Sequence, residues 1–141
     1  MKERGQSLVE LAVSLLVLVF VLAGAVEFGL AFFQYVQLRD AAQEGALYGS
    51  VCLPNCTEAD IVTRATGAST SPIDLVNDPY LEVVVTWIDE NGSVKNCEGD
   101  GIEVRMIYQH KIFMPFIPQF LGGNLIELPA EVTDTVLVPI C

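Results

Sequence analysis

Residues 5–26 begin with Gly5-Gln6-Ser7-Leu8-Val9-Glu10 and continue from Leu11 to Val26 without a formal charge. An apolar run of this kind is typical of a helix that enters a membrane. A carboxylate placed just inside such a helix is costly to bury in lipid and is normally retained for a purpose. The pattern therefore predicts a membrane helix with Glu10 as a candidate functional residue.

The helical pattern does not stop at Val26. Apolar side chains keep a spacing of three to four residues as far as Leu47, which predicts one helix from about Ser7 to Tyr48. At about 1.5 Å per residue this helix is roughly 60 Å long, about twice the hydrocarbon thickness of a bilayer. Its second half is expected to rise out of the membrane as a spine and to end near Gly49, a residue type common at helix ends.

Charge divides the chain into two parts. Residues 1–39 carry three acidic and three basic side chains, whereas residues 40–141 carry fifteen acidic and four basic ones and account for the whole net charge of −11. This division predicts a membrane segment followed by an acidic extracytoplasmic domain. An acidic surface repels phosphates, so nucleic acid is not an expected partner.

All four cysteines, Cys52, Cys56, Cys97 and Cys141, follow the apolar helix. An even number in this position predicts an oxidising compartment and two disulfides, for which three pairings are possible. The short insert between Cys52 and Cys56 favours that pair, which leaves Cys97 with Cys141. A structural metal site is the rival interpretation, but the paired short spacings that it needs are missing, so no metal is predicted.

Three interpretations compete for the N-terminus. A removable signal peptide fits Ala23-Gly24-Ala25, but Glu10 interrupts its apolar region and the helical pattern continues past Ala25. An ordinary single-span anchor is the second. The third is a helix that is cut after Gly5, so that Gln6 becomes the new N-terminus. In a bundle of parallel, staggered helices, the Glu10 carboxylate of one subunit then pairs with the N-terminal amine of its neighbour, and neither charge is left alone in lipid.

Glu27 has two interpretations. It either lies at the membrane boundary and faces headgroups or water, or makes a second contact between subunits. Orientation follows from charge: Lys2 and Arg4 precede the span, so the N-terminus is expected in the cytoplasm and the acidic domain outside the cytoplasmic membrane.

Three groups of residues carry a family resemblance: Arg4-Gly5-Gln6-Ser7-Leu8-Val9-Glu10, then Val26-Glu27-Phe28-Gly29, then Gln37-Leu38 with Asp40-Ala41-Ala42-Gln43-Glu44-Gly45-Ala46. Together they resemble the TadE-like family, pilin-like proteins of tight-adherence (Flp) pili, a branch of the type IV pilus machinery.

The resemblance implies a minor pilin or pseudopilin that supports a pilus at the cell surface. It implies cleavage after Gly5 by a prepilin peptidase and makes Glu10 the residue needed for assembly. The implied partners are that peptidase, other pilins or pseudopilins of the same system, the inner-membrane assembly platform and the lipid bilayer.

The predicted fold is α+β, with the long N-terminal transmembrane and spine helix packed on a small antiparallel β-sheet, as in pilins. The expected parts are a leader over residues 1–5, the helix over residues 6–48 and an extracytoplasmic head over residues 49–141. Within the head, we predict a second helix capped by Thr57, strands over Leu81–Ile88, Ser93–Cys97, Ile102–Tyr108 and Leu125–Val138, and a hairpin turn at Asn91-Gly92. Pro129 places the last strand at an edge or a bulge.

No constellation of residues in the chain favours catalysis or a cofactor. His110 is the single histidine, so neither a catalytic triad nor a histidine metal cluster can be built within the chain, and we expect it at the surface near the end of a strand. The predicted function is structural, and the chain is itself the substrate of a peptidase. The alternative is a single-span anchored module whose extracytoplasmic head binds a ligand.

Overall fold

The computed structural model of the chain describes residues 3–52, 55–89, 97–114 and 117–138. These residues form three helices and three strands. They run in the order α1 (Glu3–Cys52), α2 (Glu58–Thr66), β1 (Leu81–Ile88), β2 (Gly101–Lys111), α3 (Ile117–Leu121) and β3 (Leu125–Thr135). The predicted α+β architecture is confirmed.

Helix α1 has 50 residues and is therefore about 75 Å long. Its N-terminal half stands clear of the rest of the protein, and its C-terminal half packs on α2 and on one face of the sheet. The inward face of that half carries Leu38, Ala41, Ala42 and Ala46, all buried. Three of these side chains are single methyl groups, so the sheet can approach the helix backbone closely.

The helix ends at Cys52, beyond the predicted end near Gly49. Gly49 lies inside the helix, and a Cβ atom there would stand 2.1 Å from Ile102 Cδ1 and 3.2 Å from Ile61 Cδ1. The glycine is therefore explained by close packing against β2 and α2. Reading it as a stop signal was wrong because the sequence does not show what faces a helical glycine.

The sheet is antiparallel with the order β1-β2-β3. Leu81 pairs with Tyr108 and Ile88 with Gly101, so β1 aligns with β2 over its whole length. On the other side Gly101 pairs with Thr135 and Lys111 with Leu125. Pro129, which has no N–H to donate, lies in β3 opposite Ile107 and is tolerated because β3 is an edge strand in the described sheet.

Strand β2 supplies most of the core. Its buried side chains alternate along the face towards α1, and the series is Ile102, Val104, Met106, Tyr108 and His110. The register sets their heights along the spine: Ile102 lies beside Gly49, whereas His110 lies near Glu27.

Two predicted features of the head lie outside the described residues. They are the Asn91-Gly92 turn and most of the Ser93–Cys97 strand, of which Cys97 alone is described and is not in a strand. A turn at residues 98–99 leads into β2, with Gly99 at a φ of 93°, a conformation that favours glycine. Helix α2 begins as predicted, because Thr57 and Asp60 form a reciprocal capping box.

Candidate functional site

The exposed half of α1 carries no charge from Leu11 to Val26 and is mainly apolar around its whole circumference there. Large hydrophobic side chains exposed on this segment include Leu8, Val9, Leu11, Val13, Leu15, Leu16, Val17, Leu18, Val19, Phe20, Val21, Leu22 and Val26. The helix is long and apolar enough to cross a membrane: its most apolar window has a mean hydropathy of 2.7, and none of that window is buried within the protein. A helix that is hydrophobic all round requires lipid or other helices to cover it.

The predicted processing and assembly residues lie on this bare segment. Gly5, Gln6 and Glu10 are exposed on α1, and a Cβ atom added at Gly5 would meet no atom within 4 Å. Gln6 and Glu10 are four residues apart and so lie on the same face of the helix. Their predicted roles involve other molecules and stay predictions.

Glu27 is placed differently. Its side chain is buried, with the residue 5% exposed, in the region where the head first meets α1. Glu27 Oε1 lies 2.9 Å from His110 Nε2 on β2. The same carboxylate accepts hydrogen bonds from the backbone N–H groups of Phe113, at 3.1 Å, and Met114, at 3.2 Å. Glu27 therefore ties both the end of β2 and the segment that follows it to the spine.

His110 is fully buried, so its predicted position at the surface was wrong. Nδ1 lies 2.5 Å from Gln34 Oε1, and Nε2 faces Glu27. Both ring nitrogens thus face side-chain oxygen atoms, one of Gln34 and one of Glu27, so neither buried nitrogen lacks a polar neighbour.

Gln37 holds the head to the spine in a second place. Its Nε2 donates to the backbone oxygen of Ile73 at 2.8 Å, and its Oε1 accepts from the N–H of the same residue at 2.9 Å. This two-way contact satisfies both backbone polar groups of a buried residue in the loop after α2. Glu27, Gln34 and Gln37 therefore make polar contacts with the head from the face of α1 that also carries the buried Leu38 and Ala41.

The first interpretation of Glu27 disagrees with this geometry, because the carboxylate is buried against His110, Phe113 and Met114 of the same chain and does not point at headgroups or water. A contact between Glu27 and another subunit stays a prediction. The sequence held a signal for His110, because it continues the alternation of Ile102, Val104, Met106 and Tyr108. No local signal linked it to Glu27, which is 83 residues away.

Glu27, His110 and the backbone N–H groups of Phe113 and Met114 form a buried polar cluster, the Glu27 cluster. An apolar groove of about 440 Å³ opens beside it. It lies between α1 and the segment around α3, and its lining is formed by Gly24, Glu27, Phe28, Ala31, Phe32, Tyr35, His110, Ile117, Leu121, Ile126 and Leu128. Along α1 the groove runs from Gly24 to Tyr35, so α3 lies beside the segment of the helix that contains Glu27.

A second, larger groove of about 1070 Å³ lies higher on the head, between α1, α2 and residues 67–72. Its walls are mixed in character and include Asp40, Glu44, Asp60 and Arg64. Arg64 is already hydrogen-bonded to Glu44 across the groove. The Asp60 carboxylate accepts hydrogen bonds from the N–H and hydroxyl of Thr57. Both bonds hold the pKa of Asp60 below its ordinary value, and the bond from the backbone N–H has the larger effect.

Tyr108 is the described group whose pKa is raised. Burial is the main cause, and the neighbouring Asp78 carboxylate adds to it, because both disfavour the phenolate. Its position on the core face of β2 explains the burial. Among residues 3–52, 55–89, 97–114 and 117–138, no cluster of three histidine, cysteine or acidic side chains is arranged to hold a metal ion.

Cys52 and Cys56 are joined by a disulfide, with their Cα atoms 5.7 Å apart. The bond closes the connection between the end of α1 and the start of α2. Cys97 is also disulfide-bonded. Cys141 lies outside the described residues, so the Cys97–Cys141 pairing stays a prediction.

The profile of the TadE-like protein family matches residues 5–47, which comprise most of α1. The resemblance drawn from Gly5, Glu10 and the residues around Glu27 is thereby confirmed over the helix. No curated protein and no solved structure matches the chain.

Proposed function

We propose that this chain, whose N-terminal helix is TadE-like, is a minor pilin or pseudopilin of a tight-adherence pilus. In this proposal it is inserted in the cytoplasmic membrane with the head outside, cut after Gly5 by a prepilin peptidase and assembled through α1. Its role is structural and supports pilus biogenesis and surface adhesion. The peptidase, sister pilins and the inner-membrane assembly platform are the partners.

One observation carries the proposal: Glu10 is the one exposed charge on α1 between Gln6 and Leu38. Glu27 is the other acidic residue of that stretch, but it is buried by the head of the same chain. The exposed surface of the helix is therefore uncharged from Leu11 to Leu38, a length of about 40 Å. Only Glu10 needs a partner from another molecule.

The amine released by cleavage supplies that partner. A cut after Gly5 puts a positive charge at Gln6, close to the level of Glu10 in a parallel neighbour. Breaking a buried ion pair by removing one partner costs about 3–5 kcal/mol, so an assembly of such helices selects the axial stagger that keeps the pair intact. The pairing would set the register of subunits without any contact between heads.

The first test is the N-terminus of the mature protein. Membrane-purified protein from cells that contain the peptidase should begin at Gln6 by mass spectrometry. Gly5→Val should block the cut, because the peptidase needs close approach to the backbone there. Ala25→Val is the matched control: it would block a signal-peptidase cut after Ala25 and should leave the Gln6 start unchanged. A mature chain that starts at Val26 would contradict the proposal.

The second test separates insertion from assembly. Glu10→Ala should remain in the membrane fraction but disappear from sheared pili and from crosslinked complexes with sister pilins. Glu82→Ala, which removes an exposed carboxylate from β1, should behave like the parent chain. Equal incorporation of the Glu10→Ala chain would show that the carboxylate does not direct assembly.

The larger groove favours a second candidate function, an anchored module that binds a ligand outside the membrane. Its mixed polar and apolar walls could hold a small polar molecule or a peptide. The two functions differ at the N-terminus, since a plain anchor retains Met1.

A further inference from the structure

We propose that the head rests on the outer leaflet of the bilayer through an apolar rim, formed by Phe113, Leu121 and Leu125, that enters the lipid beside α1. This inference rests on the membrane insertion of α1 in the proposed function. It adds a second, separate lipid contact made by the head.

The first support is the exposure of the rim. Phe113 is 70% exposed, Leu121 is 59% exposed and Leu125 is 48% exposed. On α1, at the same end of the head, Phe28 and Phe32 are exposed as well. Clusters of large exposed apolar side chains on a protein surface mark sites of protein or membrane contact.

The second support is charge. The sequence has no formal charge from Ile112 to Ile126, in a head that is otherwise strongly acidic. Lys111, which precedes this stretch, is exposed at the end of β2 and can reach lipid phosphates. An uncharged apolar stretch next to a cation is the composition that binds at a lipid interface.

The third support is height along the helix. A hydrocarbon layer of about 30 Å is crossed by about 20 helical residues. If the layer begins at Gln6 it ends near Val26, and if it begins at Glu10 it ends near Leu30. The groove beside α3, which Leu121 lines, runs along α1 from Gly24 to Tyr35, so its lower end overlaps the outer edge of the hydrocarbon for either starting point.

The Glu27 cluster fixes the rim at this height. Hydrogen bonds from the N–H groups of Phe113 and Met114 to the Glu27 carboxylate hold the segment after β2 against the helix. The rim and the membrane helix therefore form one continuous apolar surface. Lipid, which must already cover the helix below, is the occupant that this continuity favours over a second copy of the chain.

The test uses tryptophan probes in the full chain. Trp87 is replaced by Phe to remove the single native tryptophan. Leu121→Trp then reports the rim, and Leu137→Trp is its matched control, because both leucines are 59% exposed. The N–H of Leu137 bonds the carbonyl of Ser50, about 35 Å above Glu27 along the helix. Leu18→Trp marks the membrane-spanning part of α1.

The chains are reconstituted in phosphatidylethanolamine–phosphatidylglycerol vesicles containing phosphatidylcholine brominated at a shallow acyl position. Leu121→Trp should emit at shorter wavelength than Leu137→Trp, and brominated lipid should quench it several-fold more strongly. Iodide in the buffer should quench Leu137→Trp and spare Leu121→Trp.

Three results would overturn the inference. If Leu121→Trp behaves like Leu137→Trp while Leu18→Trp is quenched by brominated lipid, the helix spans the bilayer but the head stands clear of it. If Leu121→Trp is shielded from both quenchers, a second copy covers the rim. If Leu18→Trp is not quenched by brominated lipid, the membrane insertion of the proposed function fails together with this inference.

Discussion

Replacing Glu27 with alanine should destabilise the head strongly, although Glu27 is a residue of the N-terminal helix. The carboxylate accepts three hydrogen bonds, from His110 Nε2 and from the N–H groups of Phe113 and Met114. Its removal leaves the His110 ring and two backbone N–H groups without the oxygen atoms that they face. The expected loss is about 3–5 kcal/mol, because each buried polar group left unsatisfied costs about 1–3 kcal/mol and two of the three contacts are only partly buried.

This loss converts to a measurable shift. At roughly 4 °C per kcal/mol for a head of about 100 residues, the midpoint of thermal unfolding should fall by about 10–20 °C. Unfolding is followed in detergent micelles by the fluorescence of Trp87, which lies in β1 and reports the head alone. Glu10→Ala is the matched control: it removes an exposed carboxylate from the same helix and should leave the midpoint unchanged.

A double-mutant cycle with His110→Ala tests the pairing itself. Because the two side chains are in contact, the double variant should be more stable than the sum of the single losses predicts, by at least about 1 kcal/mol. The reasoning would be refuted if Glu27→Ala unfolded at the parent midpoint, or if the two losses were simply additive.

Two further predictions concern the packing and the capping of the helices. Gly49→Val should destabilise the head by about 1–3 kcal/mol, because the new side chain collides with Ile102. Gly29→Val is the control and should not destabilise the head, because a Cβ atom there meets no atom within 4 Å. Equal urea midpoints for the two variants would contradict the close approach of α1 and β2. The low pKa of Asp60 means that its ionised form stabilises the native state above the unfolded value of 3.8 and that this stability is lost as the pH falls through the folded pKa. The parent chain should therefore resist urea better than Asp60→Asn at pH 7, and the difference should vanish under acid conditions below that window; a constant difference would contradict the assignment.

The sequence predicted those elements whose signal is local. Strand β1 was predicted with its observed bounds because alternating β-branched residues and the turn residues around them are contained within a few positions. The cap at Thr57 and the edge position of Pro129 were also correct, since each follows from the chemistry of a single residue type.

The cluster at Glu27 could not be predicted in the same way. Helical spacing places Glu27, Gln34 and Leu38 on one face, but sequence alone did not show that this face is covered as far down as Glu27. The contact depends on how far β2 extends: the strand runs to Lys111, beyond its predicted end at Tyr108, and so carries His110 down to the level of Glu27. The error at Gly49 has the same origin, since its neighbour Ile102 comes from the far end of the same strand.

Because the folded head buries Glu27, the length of α1 that can face lipid depends on whether the head is folded. In a nascent chain with an unstructured head, an ionised side chain ends the lipid-compatible surface after the sixteen residues Leu11–Val26, fewer than a bilayer needs. Once the head folds and β2 brings His110 beside Glu27, the Glu27 carboxylate is buried within the protein, and a longer part of the helix can enter the bilayer. In the proposed arrangement, folding of the head is therefore coupled to the depth of α1 in the bilayer, and a chain with an unfolded head would lie at a different depth from the folded pilins that it is proposed to join.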